Sequence, residues 1–165
     1  MPALLSLVVL VLLGAAGCQS QGSGAVTFDD GYVKAMPAGE MTAIFGVIRN
    51  DTGADVTVVS ASSESAETVE LHEMIMQDGQ MVMRERAGGF VIPAGESMAL
   101  EPGGLHLMLI GLTEEIRAGD QVSATLTLAD GGTLQVTATG RDMANAQESY
   151  DPDSQHGGFL AREGR

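Results

Sequence analysis

The chain has 165 residues, 44% of them hydrophobic, which suits one compact domain with a core rather than two. Its 22 acidic residues against 8 basic ones give a net charge of −14, which argues against a surface built to attract nucleic-acid phosphates or anionic lipid headgroups. Tryptophan is absent, glycine is frequent, and β-branched residues fall in short runs between Gly, Asp, Asn and Pro, a composition for strands and turns.

Leu4 to Ala16 is apolar apart from Ser6 and Gly14, and is shorter than the roughly 20 residues of a bilayer span. It ends in the small residues Gly14 to Gly17 directly before Cys18, so residues 1–17 read as a secretory signal. Ala15-Ala16-Gly17-Cys18 resembles the lipobox of bacterial lipoproteins, in which the cysteine receives a lipid and becomes the first residue of the mature chain. It departs from the usual pattern in having Ala where Leu is common, and no Lys or Arg precedes Lys34. The resemblance implies a periplasmic or cell-envelope protein anchored to a membrane through lipidated Cys18, with residues 18–24 as a tether. Use of the single cysteine for a lipid leaves the domain without a thiolate, a disulfide or a cysteine nucleophile. Blue-copper electron transfer, which requires a Cys ligand, is thereby disfavoured.

From Ala25 the pattern becomes strand-like. Val26, Phe28, Tyr32 and Val33 precede a break at Pro37 to Gly39; Met41 to Asn50 and Val56 to Ala61 follow, separated by the turn residues Asp51 to Gly53. Thr68 to Met76 and Met81 to Arg86 flank Asp78-Gly79, a strong signal for a two-residue hairpin turn. That turn sets Met76 opposite Met81, Met74 opposite Met83 and His72 opposite Glu85, all six on one face. Leu71, Ile75 and Val82 are then expected in the core, with Glu73 facing Arg84 for no reason that burial supplies. Short strands are expected at Phe90 to Pro93 and Ser97 to Leu100. Leu105 to Ile110 alternates, with three leucines on one face and His106 and Met108 on the other, which predicts that His106 and Met108 point outward or toward a loop. Pro102-Gly103-Gly104 ahead of them predicts an irregular backbone. Gln121 to Leu128 and Thr133 to Thr139 form a final hairpin, and residues 141–165 read as a polar mobile tail. The sum is one all-β domain over residues 25–140.

His72, Met83, His106 and Met108 supply two imidazoles and two thioethers. Thioethers serve zinc, calcium and magnesium poorly, whereas Cu(I) takes S and N donors in low coordination numbers, so Cu(I) is the ion this set selects. A methionine stripe on a strand is more often packing than ligation. The weight here comes from two of only three histidines sharing a face with methionines on separate strands. Met74 is a possible additional or supporting donor, while Met76, Met81 and Met98 read as packing residues or as supports behind the ligands. His156 and Met143 in the tail form a weaker candidate for a second copper site.

His72, Met83 and His106-x-Met108, with Val69-Glu-Leu-His72, Ile92-Pro-Ala-Gly95 and Pro102 to Leu112, resemble the periplasmic copper chaperone family called PCuAC. The resemblance spans about Ala25 to Gly140. It implies a cupredoxin-like Greek-key β-sandwich holding one Cu(I) near the surface through His72, Met83, His106 and Met108. It further implies delivery of copper to the binuclear copper centre of cytochrome c oxidase, with an oxidase subunit as acceptor and often a thiol-bearing assembly partner. Ligand exchange at the His106/Met108 edge, and an affinity that falls as pH drops through the histidine range, are the expected mechanism. Two alternatives stay open on the residues alone: a copper buffer or resistance lipoprotein, and a metal-free immunoglobulin-like interaction module. No Ser/His/Asp set, paired-carboxylate motif or phosphate-binding glycine loop points to an enzyme.

Overall fold

The computed structural model describes residues 24–143. The signal segment, Cys18, most of the tether and His156 lie outside the described residues. Ten strands follow one another in the described part: β1 (Val26–Lys34), β2 (Thr42–Asn50), β3 (Val56–Ser62), β4 (Ala66–Gln77), β5 (Gln80–Glu85), β6 (Phe90–Ile92), β7 (Ser97–Leu100), β8 (His106–Leu112), β9 (Gln121–Leu128) and β10 (Thr133–Arg141). Every expected strand is present, with ends shifted by a few residues. The domain is all-β, as its composition predicts.

Hydrogen-bonded neighbours run β5-β4-β8-β2-β1-β10-β9-β3-β6, and β3 also meets β4 through the single pair Ala61↔Val69. Seven strands therefore close into a ring, so that the two layers of the expected sandwich are joined at both edges. Closure gives each of the seven ring strands a neighbour on both sides, and leaves open edges only at strands outside the ring, such as β5 and β6, and along the overhang of β4. The pairings are antiparallel except β1 with β10. Several neighbours are distant in sequence, β8 lying between β4 and β2, as Greek-key connections require.

The interior is filled by one face of each strand. Ile44 and Ile48 of β2, Val58 of β3, Leu107 and Leu109 of β8, Leu126 of β9 and Val136 of β10 are all fully buried there with Phe90 and Ile92. Asn50, equally buried at the end of β2, ties the turns beneath this core. Its side-chain amide donates to the carbonyls of Ala54 (2.8 Å), Ile92 (2.9 Å) and Pro93 (3.1 Å), and its Oδ1 accepts from the backbone N–H of Thr52. Nothing in the local sequence marks that residue as a hub.

β4 is longer than its neighbours, and its two halves have different partners. Ala66 to His72 pair with β8, whereas His72 to Gln77 pair with β5. His72 is thus flanked on both sides, by His106 and by Glu85. Beyond it, β8 provides no partner and the β4–β5 hairpin projects past the ring. The turn is the two-residue type expected, with Asp78 at φ 51° and Gly79 at φ 82°, and the register is Met76↔Met81, Met74↔Met83 and His72↔Glu85 as the sequence predicts.

The projection corrects one expectation about burial. Of the three residues expected in the core from this hairpin, Leu71 is buried, Ile75 is half-buried and Val82 is exposed. Leu71 lies within the ring; the other two lie on the overhanging part. Glu73 and Arg84, unexplained by burial, are explained by charge: Glu73 accepts from Nε and Nη2 of Arg84 at 3.0 and 2.8 Å and from Nη1 of Arg86 at 2.5 Å. The Arg84 guanidinium holds the Glu73 carboxyl below its ordinary range, with Arg86 adding to the effect and burial opposing it. Arg86 also donates to the Gly89 carbonyl at 3.0 Å, so the network fastens the base of the hairpin to the following turn.

Candidate metal centre

The outer face of β8 carries His106 and Met108, and the structure buries both, at 3% and 1% exposure. This corrects the expectation that they point outward. The alternation was read properly, but the face opposite the leucines is covered as well. Ala43 and Phe45 of β2 form a second apolar cluster with Met108, against which Tyr32, Met41, Met83 and Ile110 pack. The Tyr32 and Phe45 rings lie 5.2 Å apart, and Phe45 lies 6.1 Å from the His106 ring. Arg141 sits over the Tyr32 ring at 4.5 Å and closes the far end of this wall.

The register brings three strands together at one point. His72 and His106 are direct cross-strand partners, with ring centroids 5.6 Å apart at 67°. Met83, across the hairpin and two pairs along from His72, places its Sδ 3.2 Å from Nε2 of His106. Met108 lies on the same face as His106 and shares its cluster with Met83. The four side chains singled out in the sequence are therefore gathered in one place, three of them buried and Met83 half-buried. Met74, opposite Met83, is half-buried beside them. Met98 packs on the main core, whereas Met76 and Met81 are exposed, which excludes packing, one of the two roles expected of them.

The hydrogen bonds assign the tautomers. Nε2 of His72 lies 2.7 Å from Oε2 of Glu70, and a carboxylate oxygen accepts there, so the Nε2–H donates and in the neutral ring Nδ1 keeps its lone pair. That Nδ1 is buried and has no hydrogen-bond partner. A buried polar atom without a partner costs about 1–3 kcal/mol, so it calls for an explanation. His106 presents the mirror case: its Nδ1 faces the Gly104 carbonyl at 3.3 Å and must donate, which turns the Nε2 lone pair on the Met83 sulfur. Two lone pairs facing each other at that distance repel, and a cation between them would relieve the repulsion. A carboxylate or carbonyl behind a ligating imidazole is also the usual way in which the metal-facing nitrogen is fixed.

Glu70 was not singled out in the sequence, although its position gives a signal: it lies two residues before His72, on the same face of β4. The loop before β8 has the irregular backbone expected. Gly103 takes φ +75° with open space around it, whereas Gly104 donates to the Glu101 carbonyl at 3.0 Å and a Cβ there would meet Glu101 Cγ at 3.2 Å, and the turn aims the Gly104 carbonyl at His106.

Burial pushes the His106 imidazole from the ordinary 6.5 down to about 4; the Gly104 hydrogen bond opposes this and nearby His72 reinforces it. His106 is therefore neutral and ready to ligate well into acid, so its own competition with protons sets in near pH 4 rather than through the usual histidine range. The consequence for the metal-free fold can be measured. An unfolded His106 takes up a proton below about 6.5 and the folded one only near 4, so between these values the unfolded chain binds more protons. Stability should fall by up to about 3 kcal/mol as pH drops from 6.5 to 4. Urea unfolding of the metal-free protein at several pH values checks this, and a His106→Gln variant should lose that part of the slope.

Among the described residues, no three or more His, Cys, Asp and Glu side chains form a group that could hold a metal ion. Any ion seated between His72 and His106 must draw on sulfur, which favours a soft ion over zinc or calcium.

The profile of the family described as "Putative lipoprotein LpqE-like" matches residues 26–139. The chain belongs to the LpqE-like family. A relative of this LpqE-like chain, "Putative lipoprotein Lxx21020" of Leifsonia xyli subsp. xyli, is 39% identical over 153 residues, spanning 87% of this chain and 92% of that one. Among solved structures, CuI-DR1885 from Deinococcus radiodurans is 28% identical with a TM-score of 0.57, over 77% of this chain and 86% of that one. The copper-bound PCuAC domain from PmoF2 shares the fold, with a TM-score of 0.57 at 16% identity over 72% of this chain and 96% of that domain. The LpqE-like domain is thus cupredoxin-like, as the resemblance to PCuAC implies.

Proposed function

We propose that this chain is a copper carrier of the cell envelope, tethered to a membrane through lipidated Cys18, which holds one Cu(I) between His72, Met83, His106 and Met108. The observation that carries the reading is a buried His72 Nδ1 without a hydrogen-bond partner, on a ring 5.6 Å from that of His106, whose own Nε2 lies 3.2 Å from the Met83 sulfur. The copper-bound solved structures of similar fold, and the lipoprotein relative, support it. Neutral donors suit an ion that must be released: thiolates would add charge and hold copper more tightly.

The acceptor side of this reading is a copper-binding protein such as a subunit of cytochrome c oxidase, with a thiol-bearing assembly protein as a further partner. Transfer proceeds by ligand exchange, one Cu–S or Cu–N bond forming as another breaks with no change in oxidation state. Because His106 and Met108 are buried, an incoming ligand reaches the ion from the half-buried Met83 side, under the projecting hairpin, rather than at the His106/Met108 edge. The role is binding and delivery, not catalysis. Incubation of the Cu(I)-loaded chain with a metal-free oxidase copper domain, followed by separation, tests it. A carrier ends with the copper on the oxidase domain; copper that stays on this chain would mark it as a buffer.

A further inference from the structure

Met76 and Met81 are the two most exposed large hydrophobic side chains among the described residues, at 66% and 51%. Each leaves unused the roughly 1.5–3 kcal/mol that burying such a side chain contributes. They are not scattered: they are direct partners across the hairpin, one pair from its turn. In a two-residue hairpin the pair next to the turn exchanges hydrogen bonds, so Met76 and Met81 form a non-hydrogen-bonded pair, the class with Cα atoms only about 4.5 Å apart. The next pair on the same face is Met74 with Met83, and Met83 touches His106.

We propose that the Met76/Met81 pair at the tip of the β4–β5 hairpin is a second, weaker site for Cu(I), at which the ion lands before it passes by way of Met74 and Met83 to the buried imidazoles. Two neutral thioethers are a sufficient low-coordination set for this ion and a poor one for hard cations. Successive pairs on one face are about 6.8 Å apart along an antiparallel strand, a gap that flexible methionine side chains leaning toward each other can close. At each hop one Cu–S bond forms as one breaks, and copper remains Cu(I). The overhang of the hairpin beyond β8 keeps the tip in solvent, open to a donor, while the Glu73, Arg84 and Arg86 network holds its base. The acidic chain as a whole attracts the cation without competing for it as a soft ligand.

The inference rests on the four-donor reading above, and methyl-resolved spectroscopy separates the two. The full chain, labelled at its methionine methyl groups, is titrated anaerobically with Cu(I) supplied as its acetonitrile complex. The first equivalent should move the Met83 and Met108 methyl resonances, and the second those of Met76 and Met81. Both tip residues are exposed, so a Met76→Leu/Met81→Leu variant should fold normally, keep the affinity for the first equivalent and lose the second. Tip methyl groups that stay in place through the second equivalent, or a second equivalent that survives in the leucine variant, would overturn the proposal. Failure of the four-donor reading would show elsewhere, as Met83 and Met108 methyl groups unmoved by the first equivalent.

Discussion

A Met83→Leu/Met108→Leu variant should fold like the wild type and lose more than about 100-fold in Cu(I) affinity. The size follows from what is removed: loss of a hydrogen-bonding partner behind a ligand costs roughly 10–100-fold in metal affinity, and here two ligands themselves go. Leucine is the right replacement because Met108 is 1% exposed and packs with Ala43 and Phe45. Alanine there would open a cavity costing about 2–5 kcal/mol and confuse loss of ligation with loss of structure. The Met-to-Leu exchange keeps volume and apolar area, at a cost usually under about 1.5 kcal/mol per site. Competition with a chromophoric Cu(I) chelator under anaerobic conditions measures the difference. Equal affinities in the two proteins would show that the thioethers only pack.

Asn50→Ala should have the opposite profile, destabilising the fold while sparing the metal site. Truncation leaves the carbonyls of Ala54, Ile92 and Pro93 without their shared donor and the Thr52 N–H without its acceptor. Each orphaned buried group costs about 1–3 kcal/mol, and partial access of water to the Ala54 and Pro93 ends brings the expected total to about 3 kcal/mol. For a domain of this size that lowers Tm by about 10 °C. Asn50 lies at the opposite end of β2 from Ala43, roughly 20 Å along the strand, so Cu(I) affinity should be unchanged. A loss below about 1 kcal/mol in urea unfolding would mean that the turns at this end hold without the hub.

Much of the site is legible in the sequence because the turn fixes it. Asp78-Gly79 admits one two-residue turn, and that turn dictates the Met83, Met74 and His72 register through the side-chain period of two. Alternation along Leu105 to Ile110 likewise gives His106 and Met108 a common face. What alternation does not give is whether the second face is covered. Tyr32 and Phe45 do the covering together with Met83, and these two arrive from β1 and β2, whose place relative to β8 is a matter of long-range strand order, not of local pattern. The same long-range pairing ends β8 at His106 and leaves the hairpin tip overhanging, which is why Ile75, Val82, Met76 and Met81 are more exposed than their hydrophobicity suggests. Glu70 lay within reach of a sequence argument, since it shares the face of His72. Asn50 did not, because its partners Ile92 and Pro93 are some forty residues away.

Protonation divides along the same line. The residue types imply copper binding limited by histidine protonation, and the structure moves the His106 part of that dependence down to about pH 4 because the ring is sealed between β2 and the hairpin. In the proposed carrier, burial would remove the proton as a competitor for this imidazole between about pH 6.5 and 4.

The central claim is that His72, Met83, His106 and Met108 together hold one soft copper ion. Anaerobic loading of the whole chain with Cu(I), desalting, and X-ray absorption at the copper edge test it in a single measurement. At one bound equivalent, the retained copper should show both imidazole nitrogen and thioether sulfur in its coordination shell. A chain that emerges from desalting free of copper, or one whose copper lacks either nitrogen or sulfur neighbours, would contradict it.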